Sequence, residues 1–127
     1  MIVRTLDEIA GTELDVHGDG WRSQRLLVRD DGLGFSLSET TVEGGAKMDL
    51  WYKHHNEACY VIEGEAEITE RDTGVVHRIG AGSAYAPEHD RHTIRVLAPI
   101  RMVCVFSPAL TGHETHDAEG SYLPAES

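Results

Sequence analysis

Cysteine is nearly absent from this chain: Cys59 and Cys104 are its two copies, and neither sits in a CxxC pair. That argues against a disulfide-stapled secreted scaffold and a zinc ribbon, and it predicts two free thiols in a reducing cytosol. Basic residues are scarce as well. Eleven Lys and Arg face 22 Asp and Glu, a formal net charge of -11. Such a surface repels phosphate backbones and anionic headgroups, so neither nucleic acid nor a membrane is expected as a partner. The same charge keeps a protein soluble, and it also suits a salty cytoplasm where screening shortens repulsion; charge alone does not choose between the two. No apolar run reaches membrane-spanning length, and the opening residues MIVRTLDEIAGT hold none of signal length. A cytoplasmic protein is therefore expected. Long helical periodicity, internal repeats and low-complexity tracts are missing too.

What remains is a pattern of short alternating runs broken by glycine-rich or charged turns, the signature of an all-β sandwich or barrel. A chain of 127 residues is the size of one domain and can bury a core without disulfides. Strands are expected at 25–29, 34–41, 54–63, 65–69, 75–79, 83–86, 92–96 and 100–106. Turns are expected at Asp30-Asp31-Gly32, Gly44-Gly45, Glu63-Gly64, Asp72-Thr73-Gly74, Gly80-Ala81-Gly82 and Ala98-Pro99. One turn of helix is expected from Leu6 to Ala10, started by Thr5 or Asp7 and stopped by Gly11. The polar stretch 108–127 reads as a mobile tail or a lid on the mouth of a barrel.

Strand parity groups the side chains. Trp51, Lys53, His55, Glu57, Cys59 and Val61 share one face, and Met102, Cys104 and Phe106 another. Ser36, Ser38 and Thr40 make a small hydroxyl face opposite Phe35 and Leu37, fit for a solvent face or for a pocket that takes a polar ligand. Tyr52 has the opposite parity to Glu57, so both reach one pocket only if the chain bends between them.

Two blocks of spacing match those of cupin barrels. Gly45, Trp51, Lys53, Glu57 and Gly64 follow the first, and Gly82, Pro87 and His92 the second. In that pattern two histidines of equal parity would reach a metal, yet Trp51 and Lys53 occupy their places. Trp51 cannot ligate and a protonated Lys53 is a poor ligand. Either the metal is lost, or Glu57 and His92 take a third ligand, for which His55 and Tyr85 both qualify. The expected fold is a single-domain cupin barrel over 1–127, jelly-roll-like, with at most short helical turns.

The run Trp51-Tyr52-Lys53-His54-His55-Asn56-Glu57-Ala58-Cys59-Tyr60 resembles the YKHHxEAxY block of the ectoine synthase family. Glu63-Gly64-Glu65, His89-Asp90-Arg91-His92, Arg101-Met102-Val103-Cys104-Val105-Phe106 and Gly120-Ser121-Tyr122 resemble further blocks in the same order. The resemblance spans the chain from Met1-Ile2-Val3-Arg4 onward. Trp51 stands where the family commonly has His, and Ser38 where it more often has Asn.

The resemblance implies a cytoplasmic homodimer that closes N-gamma-acetyl-L-2,4-diaminobutyrate into ectoine, a compatible solute, with loss of water: a hydro-lyase. It implies Fe(II), with another divalent ion such as Zn as the alternative, held by Glu57, Tyr85 and His92. Thr40 and Tyr52 are the implied catalytic residues. Trp21, Arg25, Ser38, Cys104, Phe106, Glu114 and His116 are the implied substrate contacts, Arg25 through the carboxylate. The competing expectations are a non-catalytic cupin that senses a small polar molecule, and an iron dioxygenase or isomerase. Trp51 and Lys53 argue against the latter.

Overall fold

The computed structural model describes residues 1–122, so the last part of the expected tail, 123–127, lies outside the described residues. A helical turn, α1 (Leu6–Ile9), is capped by the Thr5 hydroxyl, which accepts from the Glu8 amide. Eight strands follow: β1 (Asp15–Gly18), β2 (Trp21–Leu27), β3 (Ser36–Val42), β4 (Lys47–Leu50), β5 (Asn56–Glu70), β6 (Val76–Gly80), β7 (Ala84–Tyr85) and β8 (His92–Ser107). A 3-10 turn, Arg29–Asp31, closes on left-handed Gly32. All pairings are antiparallel. The expected all-β cupin architecture is what the chain adopts.

The two long strands make the barrel. The first part of β5 pairs with the last part of β8, in a layer that continues through β3, β2 and β1 on one side and β7 on the other. Their other halves pair again beyond a corner, joined there by β4 and β6. At the corner the register of β5 shifts between Val61 and Ala66. Gly64 has φ 97, and a Cβ on it would lie 2.2 Å from the Pro99 carbonyl oxygen. Only glycine permits that approach.

The turns expected at Glu63-Gly64 and Ala98-Pro99 are therefore bends inside continuous strands. The bulge also reverses parity. Glu57, Cys59 and Val61 face inward before it, Ala66 and Ile68 after it. The short strands β1 and β4 were not expected. Between the layers Val61, Ala66, Ile68, Ile94, Val96 and Ile100 form a dry core.

Candidate active site

Tyr52 and Glu57 do reach one pocket, because residues 51–55 belong to no strand and the chain turns there. The segment is held by Trp51, whose indole N–H donates to the His89 carbonyl at 2.9 Å, with Lys53 and Arg91 over its ring. His89 Nδ1 in turn lies 2.9 Å from the Tyr52 carbonyl. Glu88 and His89 adopt left-handed φ of 55° and 67°, costly for residues with a Cβ. Trp51 thus couples the Tyr52 segment to the loop leading into His92.

The pocket is a cavity of about 30 Å³, the size of a single water. Trp21, Thr40, Tyr52, Glu57, Tyr85, Cys104, Phe106 and His116 line it, together with Ser23, Met48, Leu50, Met102 and Tyr122. The hydroxyl face of β3 points inward: Ser36 and Ser38 are buried. Ser38, Arg25, His92 and Glu114 do not form its wall. A larger cleft of about 580 Å³ runs along His17, Arg22 and Glu43 on the outside and carries none of the expected donors.

Glu57 and His92 are fit for a metal. Glu57 Oε1 and His92 Nε2 are buried without any hydrogen-bond partner, a costly condition unless something binds them. His92 Nδ1 is 2.9 Å from the Asp90 carbonyl, which fixes its proton there and leaves the Nε2 lone pair free. Burial raises the Glu57 carboxyl to about 7. Tyr85 shares both the inner cavity and a cleft of about 500 Å³ that His92 also lines. Its phenol, pushed up by burial and then by nearby Cys59 and Glu57, lies 3.8 Å from the Met102 sulfur. His55 is also buried with an unpartnered Nδ1, packed edge-on against Phe106 and Tyr122.

The C-terminal segment closes the cavity without forming a strand. His116 Nε2 is 2.7 Å from the Tyr52 hydroxyl, and its ring stacks on Tyr122 at 4.6 Å and 10°. Burial, reinforced by Arg25, lowers His116 to about 4, so it is neutral at pH 7. Burial raises Tyr52 well above 10, so its proton stays on and is available to whichever acceptor faces it, the His116 Nε2 when that nitrogen carries no proton.

Arg25 is fully buried and ties the segment down. Its guanidinium donates to the Gly112 and Glu114 carbonyls at 3.2 and 2.9 Å, to the Ser23 hydroxyl at 3.0 Å and to the Tyr122 hydroxyl at 3.3 Å. The Glu114 carboxylate caps its own loop, accepting from the amides of Thr111, Gly112 and His113 and from the Thr111 hydroxyl. Both side chains are thus engaged in the fold of the tail. Sequence reading passed over Tyr122 as a site residue, although the Gly120-Ser121-Tyr122 block stood out. A tyrosine at the end of an otherwise polar stretch was the available signal.

The family described as Ectoine synthase matches residues 1–126. The curated L-ectoine synthase of Desulfosudis oleivorans is 49% identical over 124 residues, which cover 96% of this chain and 96% of that one. The crystal structure of ectoine synthase from P. lautus superposes with a TM-score of 0.87 at 46% identity, over 99% of this chain and 92% of the other. An RmlC-like cupin from Shewanella frigidimarina shares the fold alone, with a TM-score of 0.59 at 23% identity over 75% of this chain and 82% of that one.

Proposed function

The chain belongs to the ectoine synthase family, and from that we propose that its closed cavity cyclises N-gamma-acetyl-L-2,4-diaminobutyrate to ectoine with loss of water, as a hydro-lyase. The observation that carries this reading is the contact between protonated Tyr52 and neutral His116 across a nearly dry cavity beside Glu57. The reaction joins the α-amine to the carbonyl carbon of the substrate's own acetamide. Two protons leave the nitrogen and the oxygen departs as water.

Each residue has a part in this. Tyr52, kept protonated by burial, is the acid that supplies a proton to the departing oxygen. Neutral His116 accepts a proton and restores Tyr52 through their 2.7 Å contact. Thr40 orients the folded substrate, with Ser38 behind the wall on the same face of β3, and Trp21, Cys104 and Phe106 wall it. Proximity between amine and carbonyl is worth up to about 7–11 kcal/mol in well-oriented systems. Excluding water favours its loss and shields the amidine product. Glu57, Tyr85 and His92 would hold a divalent ion, expected to be Fe(II) with Zn as the alternative, that supplies Lewis acidity at the carbonyl oxygen.

A cavity of about 30 Å³ cannot hold the substrate, so the segment 108–122 acts as a lid that swings to admit it. Arg25, which anchors that lid, meets the substrate carboxylate once Gly112 and Glu114 release it. A second copy of the chain covers the outer sheet face, where Tyr60 and Ile62 are exposed beside Val103 and Val105. The protein works in the cytoplasm, where ectoine serves as an osmoprotectant; no helix among the described residues is long and apolar enough to cross a membrane.

Incubating the protein with N-gamma-acetyl-L-2,4-diaminobutyrate and Fe(II), then resolving products by chromatography, tests the reading. A cyclic product that vanishes on chelation and returns with Fe(II) is expected. Binding without turnover would point instead to a sensor, and full turnover in rigorously metal-free protein would remove the metal role.

A further inference from the structure

Cys59 has no part in the reaction described above, yet it sits at the centre of a row of donors. Across the sheet, Tyr85 on β7 is in register with Cys59 on β5, and Cys59 is in register with Cys104 on β8. Glu57 lies two residues along β5 on the same inward face. The two sulfurs are 3.0 Å apart, and both cysteines are buried. The ligand atoms of Glu57, Cys59 and Cys104 all lie within 4.8 Å of one another.

Two thiols held side by side beneath a carboxylate whose Oε1 is buried and unpartnered form a donor set of a different character from Glu57, Tyr85 and His92. Oxygen and nitrogen ligands suit Fe(II), whereas thiolates select zinc, cadmium and other thiophilic ions. Tetrahedral zinc with bonds of about 2.3 Å to sulfur sets its two sulfurs about 3.8 Å apart. The present pair need only spread by roughly 0.8 Å to meet that, within the freedom of two χ1 rotations.

We propose that Glu57, Cys59 and Cys104 form a second metal site, for a thiophilic divalent ion, that shares Glu57 with the Fe(II) donors and so excludes simultaneous occupancy. Binding displaces a proton from each thiol, and the ion is then held by side chains of β5 and β8 without His92. Iron and zinc therefore occupy different positions in this pocket. The site rests on the donor geometry alone and is independent of the cyclisation.

Cobalt(II) reports thiolate ligation directly, through a sulfur-to-cobalt charge-transfer band in the near ultraviolet. Metal-free protein titrated with Co(II) should develop that band, with bound cobalt measured in parallel by equilibrium dialysis. Cys59→Val, nearly the same size and placed among apolar neighbours, should lose it while keeping its melting temperature. Cys104→Ala should lose it as well, and His92→Gln should keep it. Cobalt bound by the wild type without the band, no bound cobalt at all, or a band unchanged in Cys59→Val would each overturn the proposal. If His92→Gln does not fold, the comparison of wild type with Cys59→Val decides alone. Ectoine formation with Fe(II), assayed separately on the wild type, reports on the reaction and not on this site.

Discussion

The cavity has two walls built on opposite plans. The β5–β8 wall presents Glu57 and Cys104 to the cavity, with Cys59 and His92 on the same paired strands, where backbone hydrogen bonds fix every position. The C-terminal wall carries His116 and Tyr122 on a segment with no strand at all, yet Ser121 and Tyr122 are as buried as the core. Side chains do there what a ladder does elsewhere: Arg25 and Glu114 satisfy the backbone, and the Asp117 carboxylate accepts from the amides of Glu119 and Ser121. A ladder spreads its cost over many bonds, whereas a latch concentrates it in a few residues. On the function proposed above, donors that must not move sit on the first wall and groups that must open for substrate on the second.

The largest effect should come from the rigid wall. Glu57→Gln keeps shape but removes the carboxylate, and turnover with Fe(II) should fall by about a thousandfold or more, as loss of several kcal/mol of Lewis-acid stabilisation requires. The metal-free variant should melt no lower than the wild type at pH 8. With its carboxyl raised to about 7, Glu57 ionises more easily unfolded than folded, so its carboxyl costs stability as pH rises from about 4.5 through 7. Parallel kinetics and thermal melts separate the two outcomes. A variant that loses both activity and fold would show that the donors also hold the wall together.

Arg25→Ala attacks the latch. It strands the Gly112 and Glu114 carbonyls, which should cost about 1–3 kcal/mol for each acceptor left buried and unsatisfied. Hydrogen exchange should show faster exchange of the amides from 111 to 122 while β5 and β8 keep their protection. Arg25→Lys should not rescue it, because one ammonium cannot serve four separated acceptors. Loss of protection in the strands would mean that the two walls are one cooperative unit.

Tyr52→Phe tests the contact that joins the walls. Deleting one hydroxyl should lower kcat by about a hundredfold or more, in the range for a lost general acid, while stability changes by about 1 kcal/mol. Steady-state kinetics that put the whole loss into KM would reassign Tyr52 from proton donor to substrate anchor.

How much of each wall the sequence revealed follows from the same contrast. Glu57 and His92 stood out because parity and glycine spacing are local properties of a strand. So was the need for a bend before Glu57, which residues 51–55 provide. The corner at Gly64 looked like a turn, since a bulge and a turn both show a glycine and a change of parity; only the pairing of β5 with β8 tells them apart. The C-terminal stretch read as a tail or a lid, but the bonds that latch it were not legible. Arg25 meets its distant partners 87 to 97 residues away, two of them carbonyls that every residue possesses and the third the Tyr122 hydroxyl. Trp51 was legible as a departure from the cupin pattern, but its bond to the His89 carbonyl was not.

The smallest expected effect is a pH dependence confined to the latch. His116 holds its proton less well in the closed segment, near 4, than in an opened one, near 6.5. The opened form therefore gains protons first as pH falls, so closure is fully stable above about 6.5 and is lost progressively down to about 4. Between pH 7 and 5.5 this amounts to about 1.2 kcal/mol, a little under tenfold in the opening equilibrium. The strand wall has no such term from His116. Amide exchange of the 111–122 segment, corrected for the intrinsic pH dependence of the chemistry, should thus rise about tenfold over that interval while β5 and β8 stay constant. Trp21, edge-on to the His116 ring at 5.1 Å, offers an independent fluorescence signal of the same opening. A His116→Gln variant should remove the pH dependence of segment exchange. If the dependence survives, another group controls the latch, and the 2.7 Å contact with Tyr52 is not what His116 protonation breaks.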